Sequence, residues 1–339
     1  MLEYIKKLSE LNGTSGDEAE VAEYIASEIK GCADISFDAL GNLIAFKKGK
    51  NPASKKLMIC AHMDEVGLIV TGFNSDGRLA FDCVGGIIPS VIIGRQVLVG
   101  KEKIPGVIGT KAVHQQSSDE KENIFPVDKL FIDIGADSPD EAKELVSLGD
   151  RAVFQSDFIS FGNSKIKGKA LDDRAGCAIM LDMIKSETEF DAYFVFTVQE
   201  EVGARGAKAA SNALDPDFAI VLETTTACDI AGVSENEKVC SLGSGAVISY
   251  MDNGTVYDRT LYAMANELAK ENGIPVQTKT AVAGGNDSGS IHTSADGVRT
   301  VAVSAPCRYL HSPSCVLDTR DIKAVSELTK ILAKRLASL

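Results

Sequence analysis

Four short apolar runs limit what this chain can become. "LMICA" (57–61), "YFVFTV" (193–198), "FAIVL" (218–222) and "VAVSA" (301–305) are continuous rather than alternating, the pattern of strands covered on both faces in an α/β sheet. A sheet with one wet face would alternate apolar and polar residues. Each run ends in polar residues: "LMICAHMDEVG" delivers His62 and Asp64, "YFVFTVQEEVG" Glu200 and Glu201, "FAIVLETTTACD" Glu223, and "VAVSAPCRYLHSP" His311. In open α/β sheets ligands bind at the carboxyl ends of the strands, so a site is expected where these residues converge.

Between the first and second run the texture changes. Up to about residue 66 the chain reads as a helix over roughly 2–30, then strands in "LGNLIAFKKG" and "KKLMICAHMDE". From 67 short β-rich pieces such as "VGLIVTGF", "RLAFDCV" and "KLFIDIG" alternate with Gly, Pro and Asp turns, the mark of a small barrel or sandwich. Helical character returns near 163, with Cys177, Met180, Leu181 and Ile184 on one face of "DDRAGCAIMLDMIKSE". The expected fold is therefore α/β: one domain of residues 1–66 and 163–339, interrupted by an inserted β domain at 67–162.

A chain of 339 residues that is 45% hydrophobic has enough for a well-buried core. Its net charge of −13 argues against nucleic acid and anionic membrane as partners. "MLEYIKKLSELNG" reads as an amphipathic helix and lacks a signal-peptide apolar block. No stretch approaches the apolar length of about 18 residues that a membrane span needs. The eight cysteines are scattered without CxxC pairs, which favours reduced thiols in a cytoplasm over a disulfide framework or a thiolate zinc site. The basic "KKGKNPASKK" reads as an exposed turn between strands.

Each polar strand end has an ordinary explanation taken alone; "LDDRAG", for instance, reads as an Asp N-cap. Together they make a nitrogen and oxygen donor set suited to zinc, cobalt or manganese. His62, Asp172 and Glu223 can hold one ion and Asp172, Glu201 and His311 a second, with Asp172 bridging. The paired glutamates then divide the work: Glu201 binds metal, while Glu200 takes the proton of the bridging water as general base. Asp64 is placed to orient His62.

"AHMDEVG", "KALDDRAG", "QEEVG" and "RYLHSP", in this order and with a β insertion between the first two, resemble the TET-type dinuclear metallo-aminopeptidases, the family of glutamyl, leucyl and deblocking aminopeptidases. The likeness runs through nearly the whole chain, including "SGDE", "FIDIGADSPDEA" and "GGNDSGSIH". It implies a zinc-exopeptidase-like catalytic domain and a PDZ-like inserted barrel used in dimerisation. It implies His62, Asp172, Glu201, Glu223 and His311 as ligands of two divalent ions, with Glu200 as base and Asp64 as support. It also implies a cis peptide between Asp172 and Asp173, peptide substrates, and a homododecamer built from dimers.

In one respect the chain departs from the pattern. Many members carry Asp in a "DVT"-like context where this chain has Glu223, with Asp229 as the alternative ligand. Glu223 keeps carboxypeptidase and deacylase activity of the wider group open. A glycoside hydrolase, the name some relatives bear, fits less well, because these acids are sequence neighbours tied to histidines and the chain has no Trp. A peptide-binding or assembly protein without catalysis is the third class, opposed by Glu200. His114 and His292 read as structural, and "GGNDSGS" as a loop beside the site rather than a phosphate nest.

Overall fold

The computed structural model describes residues 1–118 and 126–339; residues 119–125, within the expected insert, lie outside it. The strands are β1 (Asp34–Phe37), β2 (Leu43–Lys47), β3 (Leu57–His62), β4 (Gly67–Phe73), β5 (Leu79–Val84), β6 (Gln96–Val99), β7 (Ile104–Gly109), β8 (Phe131–Asp133) and β9 (Arg151–Phe154). Then follow β10 (Ile159–Phe161), β11 (Lys165–Gly168), β12 (Ala192–Thr197), β13 (Phe218–Thr226), β14 (Ala246–Ile248), β15 (Val276–Thr278), β16 (Arg299–Cys307) and β17 (Cys315–Asp318).

The apolar runs form the middle of a mixed sheet ordered β1-β2-β12-β3-β13-β16-β14-β15. Its four central strands are parallel, so their carboxyl ends lie along one edge with β3 between β12 and β13. One face packs against the helices Leu2–Glu10, Ala19–Ile29, Leu171–Lys185 and Thr319–Ala337, and the other carries a smaller apolar cluster around Cys60, Val195 and Val221. Covering both faces is what permits continuous apolar strands.

The β-rich segment closes into a six-stranded barrel, β4-β5-β8-β7-β6-β9, with its own core around Leu68, Val97 and Ile132. The barrel ladder ends at Phe154, and β10 pairs instead with β11, which pairs with β17 near the C-terminus.

Two local expectations are corrected. The N-terminal helix is not continuous over 2–30: it is two helices, Leu2–Glu10 and Ala19–Ile29, separated by "LNGTSGDE". Gly16 takes a left-handed φ of 84°, and Thr14 bridges to Glu65 beyond the end of β3, so tertiary contacts hold the break open. The second correction concerns β13, which does not stop before Glu223. Its threonines go on pairing with β16 as far as Thr226, whereas the ladder to β3 ends at Val221. The basic turn is the exposed loop expected, with Lys50 paired to Glu187 and Lys55 to Asp217.

Candidate metal centre

The strand ends converge on a cavity of about 360 Å³ lined by Asp172, Glu200, Glu201, Glu223 and His311 among others. Because β3 stops short, Glu223 on β13 faces the notch where His62 ends its strand, 3.8 Å from Glu223 Oε2 to His62 Nε2. Asp172 enters from the helix side. Its Oδ1 lies 3.5 Å from His62 Nε2, and its Oδ2 3.6 Å from His311 Nε2. Glu201 Oε2 is 3.2 Å from the same His311 nitrogen. The result is two trios, His62–Asp172–Glu223 and Asp172–Glu201–His311, each with donor atoms within 4.8 Å of one another.

The backbone explains how adjacent glutamates share one cleft. Consecutive strand residues point to opposite faces, but Gln199 adopts a left-handed φ of 57°, ending the alternation just before Glu200. Asp64 then gathers the turn: its carboxylate accepts the N–H of Glu200 at 2.9 Å and of Glu201 at 3.1 Å, and the Ser15 hydroxyl at 2.5 Å. His62 Nδ1 lies 3.1 Å from the Asp64 carbonyl and 3.5 Å from its carboxylate. Asp64 thus contacts the imidazole and also the backbone of the two glutamates, the second of which its position two residues after His62 did not disclose.

The Asp172–Asp173 peptide is cis, as the resemblance implied. Asp172 and Asp173 are non-helical, and Asp173 accepts the N–H of Gly176 at 2.9 Å. The N-cap reading therefore holds for the second aspartate, while the first faces the site. Behind them lies a buried ion network absent from the sequence reading. Lys169 Nζ lies 2.6 Å from Glu65 Oε1, and fully buried Arg174 donates to the carbonyls of Met63 and Leu8, both at 2.6 Å. Asp287, in the "GGNDSGS" loop, is also buried and accepts the Thr197 hydroxyl at 2.5 Å. Gly284 and Gly285 of that loop line the cavity.

The barrel reaches the site through its backbone. The Gly86 carbonyl lies 2.9 Å from His311 Nδ1, so a loop from the insert orients a residue 225 positions later. A Cβ on Gly86 would come within 3.2 Å of that ring.

The electrostatics are those of a cation site. Burial pushes Glu200 and Glu223 well above the usual carboxylate range, and Glu201 up to about 7, with neighbouring carboxylates adding to each. Burial also opposes the charge on His311, yet Asp172 and Glu201 outweigh it and raise the ring to about 9. For Asp172 the two histidines override burial and hold the carboxyl well below the ordinary range. Asp172 Oδ1 and Glu223 Oε1 are buried with no hydrogen-bond partner. Orphaned oxygens opposite imidazole nitrogens fit divalent ions, which remove the penalty for such clustering.

Asp229 does not join the cluster: Arg308 grips its carboxylate at 2.6 and 2.8 Å, and the Leu242 N–H adds a third bond. His292 Nδ1 faces the Ser288 carbonyl at 2.8 Å, and His114 is exposed. Neither belongs to either donor trio.

Residues 41–328 match the family model described as M42 glutamyl aminopeptidase. The chain belongs to this family. It is accordingly a peptidase, and its family is one of metal-dependent enzymes. It is 41% identical to a putative aminopeptidase of Acetivibrio thermocellus, covering 98% of each chain. It is 33% identical to the lysyl aminopeptidase of Pyrococcus furiosus, over 98% of this chain and 97% of that one. Among solved structures, the TET1 peptidase of Pyrococcus horikoshii superposes with a TM-score of 0.86 at 36% identity, covering 98% of both chains. This M42 member therefore shares its fold with that solved structure.

Proposed function

We propose that this M42 member is a two-metal aminopeptidase that removes N-terminal residues from peptides. The observation that carries the reading is the pair of nitrogen and oxygen trios sharing Asp172, with Glu200 on the wall of the same cavity. His62, Asp172 and Glu223 would hold one divalent ion, and Asp172, Glu201 and His311 the other. Zn2+ or Co2+ suits these donors best, and Mn2+ is also compatible. Bound there, the ions would polarise the scissile carbonyl and acidify water.

Glu200 has no place in either trio and acts as the base. It takes a proton from the attacking water and returns it to the leaving amine. The raised affinity of Glu200 for protons, caused first by burial, matches that exchange. Asp64 fixes the turn that carries Glu200 and holds the His62 ring.

Residues 1–66 and 163–339 serve as the catalytic domain, and 67–162 as a PDZ-like dimerisation domain. The TET1 peptidase of Pyrococcus horikoshii assembles into a tetrahedron or a large octahedral shell, which supports a homododecamer built from dimers here. Eight free cysteines agree with a cytoplasmic setting.

The test is to strip the protein with chelator, restore zinc, cobalt or manganese separately, and follow release from aminoacyl chromogenic substrates beside N-acetylated controls. Metal-dependent release that requires a free amine and is lost in Glu200→Gln protein is the expected result. Metal binding without such release would sink the reading and turn attention to deacylase or carboxypeptidase substrates.

A further inference from the structure

The turn after β12 carries Glu200, and side chains from three other segments hold its backbone. Successive N–H groups from Val198 to Glu201 each donate to a side chain. Asn42 Oδ1 accepts the first at 3.0 Å, Glu18 Oε1 the second at 3.1 Å, and the Asp64 carboxylate the third and fourth. Asn42 and Glu18 are buried, and neither belongs to a donor trio.

Glu18 comes from the break between the first two helices, which the fold alone does not require. It immediately precedes the helix Ala19–Ile29, where a capping side chain ordinarily accepts N–H groups of the first helical turn. It makes no such bond. Its Oε1 turns away instead, to the Gly16 N–H at 2.7 Å and across to Gln199, 181 positions later. Asn42 frames the same turn at both ends. Its Nδ2 donates to the Asp38 carboxylate at 2.6 Å and to the Gly206 carbonyl at 2.9 Å, which leaves Oδ1 for Val198. A Cβ on Gly206 would collide with that oxygen, so the chain leaves the turn through a glycine.

Gln199 needs such support. Its left-handed φ of 57° is costly for a residue with a side chain and persists where the surroundings over-determine it. The two glutamates beyond it are not equally secured. Glu201 belongs to a trio and lies against His311, whereas Glu200 stands outside both trios, so the turn backbone is what places its carboxylate.

We propose that Glu18 is a positioning residue for Glu200: by holding the Gln199 N–H, between Asn42 and Asp64 on either side, it aims the base into the cavity. The inference rests on the aminopeptidase reading above, with Glu200 as base.

The experiment measures kcat, KM and bound metal of metal-loaded protein on the aminoacyl p-nitroanilide that the native chain cleaves best. Glu18→Ala, Glu18→Gln, Glu200→Gln and the double variant Glu18→Ala/Glu200→Gln are compared. Glu18→Ala should lower kcat about ten- to hundredfold, the scale of a displacement approaching 1 Å, with KM and bound metal close to native. Glu18→Gln keeps the acceptor oxygen and should recover most of that loss. In the double variant the Glu18 change should add nothing to the Glu200→Gln loss, because both act through one carboxylate. Should Glu18→Ala fail to fold, Glu18→Asp, one methylene short of Gln199, carries the same expectations. Native kcat in Glu18→Ala, losses that multiply in the double variant, or a loss that excess metal repairs overturns the inference and leaves Glu200 as base. Native kcat in Glu200→Gln overturns the base assignment and this inference with it.

Discussion

The carboxyl edge of the central sheet and the inserted barrel solve the problem of burial in opposite ways. Along the sheet edge His62, Asp64, Glu65, Asp172, Arg174 and Glu223 are all buried, and each has a charged partner or a place in the donor set for a cation. The described barrel, from Gly67 to Phe154, buries no charged side chain. Its strands obey hydrophobic alternation and need no electrostatic compensation. The barrel nevertheless touches the chemistry, through the Gly86 carbonyl on His311. Charge concentrates where strands end, because there alone a side chain can leave the packed interior while its backbone remains in the ladder. A neighbouring unit then adds what backbone can add, one acceptor and close approach.

The sharpest test of this contrast is Glu200→Gln. It removes the proposed base while leaving both trios intact, so kcat should fall about 10²–10⁴-fold with metal content unchanged. Retention of native kcat would show that the edge's charge is structural only.

Next in size is the ion network behind the site. Glu65→Ala leaves Lys169 and Arg174 buried without their acid, at a cost of about 3–5 kcal/mol, read as a drop in denaturation midpoint. An apolar replacement inside the barrel core, Val97→Ala, should cost less, about 1–3 kcal/mol. Equal losses would mean that the two regions are built alike. Asp64→Asn, which weakens acceptance of the Glu200 and Glu201 N–H groups, should lower metal affinity or activity about 10–100-fold.

Acid–base linkage gives a smaller, directional effect. Burial pushes Glu18 and Glu201 up to about 7 and Asp287 up to about 6 in the metal-free protein. Each folded value lies above that of an unfolded carboxyl, so the stabilisation is complete below about pH 4 and is lost as pH rises through 6 to 7. His311, raised to about 9, has the same sign and extends the loss upward. Asp64 and Asp172 are held low and act only below the ordinary aspartate range. Chelated protein should therefore melt at a higher temperature at pH 5 than at pH 8, with the difference shrinking when metal is restored. A higher melting temperature at pH 8 in chelator would contradict the assignment.

Smallest of all is Gly86→Ala, whose Cβ would press on the His311 ring at 3.2 Å. A displacement of a few tenths of an ångström should cost activity a few-fold, given that misplacement by about 1 Å costs about 10²-fold, with the barrel still folded by circular dichroism. No change at all would separate the barrel from the chemistry.

Much of this architecture was legible because burial leaves a local record. A continuous apolar run that turns polar marks where the packed interior opens, so "AHMD", "QEE" and "LE" point to His62, Glu200, Glu201 and Glu223, although β13 itself runs on through Glu223 to Thr226, and the barrel shows in its turns. The N-terminal helix is in fact two because residues 12–18, "NGTSGDE", carry two glycines and no apolar side chain, and Thr14 and Ser15 meet Glu65 and Asp64 there. The tertiary structure alone decided that Asp64 binds the N–H groups of residues 136 and 137 positions away and that Arg308 removes Asp229 from the site. Those contacts join segments far apart in the chain, and a hydrogen bond that depends on distance in space imprints no period on the sequence that makes it.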